Sequence, residues 1–349
     1  MMMRAAFLTA AMLVAVPAAA RPARIDLSAM SAEIEGGKYR KIEAIRVIRD
    51  GRTVFEADYR GNTPESRIDA RSSGKSITAL AIGMAIDDGK LASVDLPVFE
   101  FFKDREPFAH DGPAKRAITI RDLLTMSSAL DCDDWAGASP GNEERMYATR
   151  DWTRFALDIP IAGNYARGAN GLGRYSYCTA GAFLLGRIVE RVTGERFDAY
   201  VQRRLFDPLG ITGAQWKTSP NGEVQSGGQL SLRARDFAAI GQLVLDGGMA
   251  SGKQVVSRAW LREMLTVRAK ATPFDGYGYL WWVRDYRTPV SSRPWPGFYM
   301  SGNGGNKAVL FPDLKAVVVI LSTNYNQRDM HQLSTALIER HILPALVTP

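Results

Sequence analysis

Residues 77–86 constrain the fold most. Ile77, Ala79, Leu80, Ala81, Ile82, Met84, Ala85 and Ile86 follow one another almost without polar interruption until Asp87-Asp88-Gly89. A segment that is apolar nearly all round is a buried helix, the glycine supplies its C-terminal cap, and the rest of the chain must pack around it. Just before this run stands Ser72-Ser73-Gly74-Lys75. Residues three apart on a helix are neighbours, so the Ser72 hydroxyl and the Lys75 amine can meet above its first turn. The helix N-terminus favours negative charge on the serine. A lysine in such a setting must shed its proton or find partners, because burial disfavours the charged form. Read in this way, Ser72 is a nucleophile and Lys75 its base. An ordinary helix start, with Lys75 reaching solvent, is the alternative, and a Ser-x-x-Lys spacing does not decide between them.

Before that stretch the chain opens on a leader-like segment. The first twenty residues carry one charged side chain, Arg4, then a largely apolar run from Ala5 to Val16 and the small-residue segment Pro17-Ala18-Ala19-Ala20. This pattern fits a secretory signal and is too short for a membrane span. The expectation is a mature chain starting near Arg21, periplasmic or secreted, without stable membrane insertion. Its net charge is one less than the +7 of the whole sequence, and its basic residues come at most in pairs such as Arg40-Lys41. No basic stripe suits nucleic acid. The two cysteines, Cys132 and Cys178, allow a disulfide in an oxidising compartment, and free buried thiols would read the same way. Without neighbouring histidines they make no zinc site.

With 349 residues and 46% hydrophobic content, the chain has enough material for one large domain. Strand-like runs at 43–49 and 53–59 flank Asp50-Gly51, a hairpin signal. Thr119 with Asp122 reads as a capped short helix, and further helices are expected at 180–192, 197–206, 232–246, 257–265 and 328–343. Strand character returns at 277–282, 307–311 and 316–322, the last two around Pro312-Asp313-Leu314. Strands at both ends with helices between imply an α+β fold: an antiparallel sheet flanked by helices, plus a mostly helical insertion. The expected organisation is a leader over 1–20 and one domain over 21–349. Its sheet lobe takes about 40–85 and 275–349, and its helical lobe about 86–274.

The three histidines, His110, His331 and His341, lie in a turn and in the terminal helical pattern, so a serine nucleophile here needs a different base. Tyr177, between a glycine-rich loop and a helix, could lend its phenol, or could be a packed core tyrosine. Ser301-Gly302-Asn303-Gly304-Gly305-Asn306 enters a strand through a glycine-dense turn whose N–H groups could form an oxyanion hole, or could be a simple bulge.

Together these pieces resemble the serine β-lactamase and penicillin-binding superfamily, in particular its class C-like branch with D,D-carboxypeptidases, esterases and 6-aminohexanoate-oligomer hydrolases. Ser72-Ser73-Gly74-Lys75 is similar to the first motif, Tyr177-Cys178-Thr179 to the Tyr-x-Asn element, and Asn303-Gly304-Gly305 takes the place of the Lys-Thr-Gly or His-x-Gly motif. The resemblance implies a β-lactamase/transpeptidase-like fold and an acyl-enzyme on Ser72, with Lys75 and Tyr177 moving protons and no metal or cofactor. It further implies an oxyanion hole from the backbone N–H groups of Ser72 and Asn306, and substrate contacts from Thr179, Asn303, Gly304 and Gly305. Tyr147 is a candidate pocket wall, and specificity is expected to lie in the loops 132–147 and 164–174.

Two departures carry weight. Thr179 stands where the family has Asn, and the neutral Asn303 where it has Lys or His. The expectation is a secreted hydrolase of small-molecule esters or amides. Alternatives are a D,D-carboxypeptidase or β-lactamase acting on peptides or β-lactams, and a penicillin-binding sensor without turnover. The sequence says nothing of oligomeric state.

Overall fold

The computed structural model describes residues 24–163 and 165–348. The leader expected over residues 1–20 lies outside them. The backbone of the fold is an eight-stranded antiparallel sheet built from both ends of the chain. Strands β1 (Ile42–Arg49) and β2 (Arg52–Asp58) come from the N-terminal side. They are joined by β3 (Ala269–Lys270), β4 (Asp275–Tyr277), β5 (Trp282–Thr288), β6 (Ser291–Gly302), β7 (Asn306–Phe311) and β8 (Ala316–Ser322). The spatial order is β2-β1-β8-β7-β6-β5-β4-β3, so the first hairpin closes onto the last strand, Ile45 opposite Ile320. β8 is buried along its whole length, which suits the unbroken run Val317-Val318-Val319-Ile320 to a strand covered on both faces.

The apolar segment forms helix α1 (Gly74–Asp87), with residues 74–85 all buried. Helix α3 (Thr179–Thr193) packs directly against it, helix α2 (Glu143–Tyr147) packs against α3, and helix α4 (Ala234–Leu245) packs on the sheet. α4 lies on the sheet, where Gly241 lets its backbone approach Val317 and Leu310. α3 ends at Gly194 in the left-handed conformation.

The polar atoms of α1 have defined partners. Ser76 Oγ donates to Leu280 O at 2.7 Å, Thr78 Oγ1 to Ser226 O at 2.6 Å, and the Trp260 indole donates to Ala79 O at 3.0 Å while filling the space above Gly83. Three bonds of this kind fix both the depth and the rotation of the helix.

Two local readings are corrected. Residues 277–282 are not one strand: β4 stops at Tyr277, Leu280 turns back at φ 55°, and β5 starts at Trp282. The Leu280 amide bonds Leu124 O at 2.9 Å, a tertiary contact that overrides strand propensity. The nucleophile candidate also precedes the α-helix proper, on a 3₁₀ turn over Arg71–Ser73 that runs into α1. No helix among the described residues is long and apolar enough to cross a membrane.

Candidate active site

The turn carrying Ser72 is held from three sides. Arg71 adopts φ 52°, a left-handed conformation that an ordinary side chain keeps only under constraint. Asp69 Oδ1 accepts from the Arg71 amide at 2.8 Å, the Gln229 amide donates to Arg71 O at 3.1 Å, and the Arg71 guanidinium lies 4.3 Å from the Tyr325 ring centroid. On the fourth side β6 comes so close at Gly302 that a Cβ there would stand 1.9 Å from Ala70 O and 3.1 Å from Ser73 Oγ. The strand end and the serine turn therefore share one tight seam.

Lys75 is 1% exposed, and its amine has three partners: Ser72 Oγ at 2.9 Å, Thr179 Oγ1 at 2.8 Å and Gly227 O at 2.6 Å. The Gly227 carbonyl can only accept, and Thr179 offers a second acceptor. Two N–H bonds point to these, and the nitrogen's remaining position faces the serine oxygen. An amine held at hydrogen-bond distance from a hydroxyl is placed to exchange a proton with it. Lys75 does not reach solvent, so the alternative reading of an ordinary helix start fails on geometry.

Tyr177 is buried beside this pair, its ring centroid 4.9 Å from Lys75 Nζ. Burial pushes its phenol up, while the Lys75 charge and a hydrogen bond with Ser72 pull it down. At neutral pH the group is a phenol, a proton donor before it is a base. The exposed indole of Trp135 stacks on it at 5.5 Å and 5°, and the Trp282 ring lies 6.0 Å away.

A disulfide secures the tyrosine. Cys132 and Cys178 are bonded, which ties the residue after Tyr177 to the loop that carries Asp134 and Trp135. In the same clasp the Asp134 amide donates to Tyr177 O at 2.8 Å, and Asp134 Oδ2 accepts from the Thr179 amide at 2.7 Å.

The cavity in front of Ser72, about 60 Å³, is lined by Glu143, Tyr147, Gly228 and Asn303 among others. Tyr147 stands in its wall, its hydroxyl donating to Glu143 Oε2 at 3.0 Å and accepting from Gln225 Nε2 at 3.1 Å. The glycine-dense motif forms a turn that enters a strand, as read from the sequence. β6 ends at Gly302, and Asn303-Gly304-Gly305 is the turn between β6 and β7, with Gly304 and Gly305 at φ 95° and 83°. Asn303 lines the cavity. Asn306 does not: it is fully buried at the start of β7, its side chain bridging Asn303 O and the Ser322 amide. The histidines stand apart. His341 bonds Glu33 and Tyr39, and His331 is exposed on the terminal helix.

Asp134, Trp135 and Gly227 were missed as site residues. Asp134 and Trp135 lie in a loop whose composition marks it as irregular without saying which residue faces inward. Gly227 contributes only a carbonyl, which no side-chain pattern signals.

Known proteins are similar to this chain in sequence and fold. The beta-lactamase family profile matches residues 42–340. The 6-aminohexanoate-dimer hydrolase of Paenarthrobacter ureafaciens is 27% identical over 315 residues, covering 85% of this chain and 76% of that protein. The lovastatin esterase of Penicillium rubens is 27% identical over 218 residues, covering 56% of this chain and 51% of that one. The fold is shared with the penicillin binding protein of Bacillus halodurans, TM-score 0.64 at 18% identity over 87% of this chain and 97% of that chain. A profile match across most of the chain, relatives that are hydrolases and a shared fold lead to one conclusion: the chain belongs to the beta-lactamase family of serine hydrolases.

Proposed function

We propose that this chain is a secreted hydrolase of small esters or amides that works through an acyl-enzyme on Ser72, with Lys75 and Tyr177 handling protons. The single observation that carries the reading is the Lys75 amine, buried and 2.9 Å from Ser72 Oγ, with Thr179 and Gly227 accepting its other hydrogens. In acylation Ser72 Oγ bonds to the substrate carbonyl carbon as its proton passes to Lys75 Nζ. The carbonyl oxygen becomes an oxyanion held by backbone N–H groups of Ser72 and of the β6–β7 turn. We assign the second donor to Asn303 rather than Asn306, because Asn303 is the residue of that turn that lines the cavity. Collapse of the intermediate breaks the bond to the leaving group, which takes its proton from Tyr177, and Lys75 returns one to the phenol. Water then attacks the acyl carbon, its proton passing through Tyr177 and Lys75 to Ser72 Oγ as the ester C–O bond breaks and the acid is released.

The leaning towards neutral substrates rests on charge. Two carboxylates, Glu143 and Glu144, line the cavity, while Arg71 is engaged by Asp69 and Tyr325. An anionic β-lactam or D-alanyl peptide would meet net repulsion there. An oxidising compartment suits the Cys132–Cys178 bond. The test is a side-by-side screen of p-nitrophenyl esters, small amides, nitrocefin and D-alanyl peptides with the wild-type chain and Ser72→Ala. Ester or amide turnover that needs Ser72 supports the reading; turnover confined to nitrocefin or D-peptides overturns the substrate class.

A further inference from the structure

We propose that Asp134 is a positioning residue of the acyl-transfer machinery: from behind the Thr179 amide, its carboxylate supplies the countercharge for the ammonium formed when Lys75 takes the Ser72 proton. The inference rests on the roles of Ser72 and Lys75 argued above. Asp134 Oδ2 accepts from the Thr179 amide at 2.7 Å, Oδ1 accepts from the Glu143 amide at 2.9 Å, and its own amide donates to Tyr177 O at 2.8 Å. One residue thus grips both Tyr177 and Thr179, and the Thr179 hydroxyl lies 2.8 Å from Lys75 Nζ. With a backbone N–H on each oxygen, the site is built for an acceptor on both sides, which a carboxylate is and an amide is not.

The groups facing the carboxyl are Glu143 and Tyr147 on α2, Lys75 on α1, and Tyr177 and Thr179 at the start of α3. Burial, then the Glu143 charge, pushes the Asp134 carboxyl up to about 6, while Lys75 and the Thr179 hydrogen bonds pull it down. A buried carboxylate is costly, and the partners of this one are backbone amides rather than cations. A carboxylate that stabilises the cation formed on a catalytic base, without meeting the substrate, is the role of the third member of a Ser-His-Asp triad. Here the base is an amine and the link passes through Thr179. Below the Asp134 midpoint the carboxyl is neutral and the countercharge is lost, so turnover gains an acid-side step near 6.

The test uses the full chain and an uncharged p-nitrophenyl ester, from about pH 4.5 to 9, once Ser72→Ala has abolished turnover. If Ser72→Ala retains turnover, the underlying mechanism fails and Asp134 is not at issue. Otherwise wild type is expected to show a kcat/KM midpoint near pH 6. Asp134→Asn is expected to lose about ten- to a hundredfold at pH 8 and to lose that step, since one nearby charge in a partly dry site is worth about one to two powers of ten. Glu143→Gln removes the charge that raises the carboxyl, so its midpoint should move to lower pH. It also decides the matter if Asp134→Asn does not fold. An Asp134→Asn enzyme that folds and keeps the wild-type midpoint, or a Glu143→Gln enzyme whose midpoint stays in place, overturns the proposal.

Discussion

Removing the Cys132–Cys178 bond should cost stability and activity together, because the bond closes a long loop and one of its ends lies between Tyr177 and Thr179. The sequence separation is 46 residues, and the chain-entropy relation gives a loop of that length about 4 kcal/mol. For a chain of this size that corresponds to a fall in Tm of about 6 °C. Reduction and mutation differ in one respect. Cys178 Sγ accepts from the Gly181 amide at 3.2 Å as the N-cap of α3, a contact that reduction leaves in place and the Cys132→Ala/Cys178→Ala variant removes at a further cost of about 1 kcal/mol. Calorimetry on oxidised, reduced and doubly substituted protein should therefore rank them in that order. Freed from Cys178, the loop bearing Asp134 and Trp135 loosens its hold on Tyr177, so kcat for a p-nitrophenyl ester should fall several-fold while KM changes less. Reduced protein with an unchanged Tm and unchanged kcat would refute the view that this bond fastens the site.

Two other perturbations separate chemistry from scaffolding. Lys75→Met keeps the buried volume and removes the base, and kcat/KM should fall about 10²- to 10⁴-fold. The Gly227 carbonyl and Thr179 hydroxyl then lose a donor, a cost offset by no longer burying an amine, so Tm should stay within about 5 °C. Gly302→Ala puts a methyl 1.9 Å from Ala70 O, which forces β6 away from the Ser72 turn. A displacement near 1 Å there is expected to lower kcat about a hundredfold with an unchanged circular-dichroism spectrum.

What the sequence made legible follows from where side chains alone dictate structure. The core helix could be read because residues 77–86 leave no polar face to turn outward, and the β1–β2 hairpin because Asp50-Gly51 accepts left-handed backbone. Leu280 hid its turn, since leucine gives no sign of a positive φ and the turn is set by a hydrogen bond to Leu124 from a distant helix end. Asn303 and Asn306 were confused because two asparagines flank the same pair of glycines, and only the end of β6 at Gly302 fixes which one faces the cavity. Cys132 and Cys178 carried no sign of their distance in the sequence; their meeting depends on how the loop 133–142 folds back on α3. Asp134 was invisible for the same reason, its role being defined by two backbone amides it reaches through space.

The central claim is that Ser72 is the nucleophile activated by Lys75. Intact-mass analysis of the protein after reaction with a fluorophosphonate tests it most directly. One adduct per chain on wild type, mapped to the peptide bearing Ser72, none on Ser72→Ala and at least a hundredfold slower labelling of Lys75→Met are expected. An adduct of equal rate and stoichiometry on Ser72→Ala would contradict it.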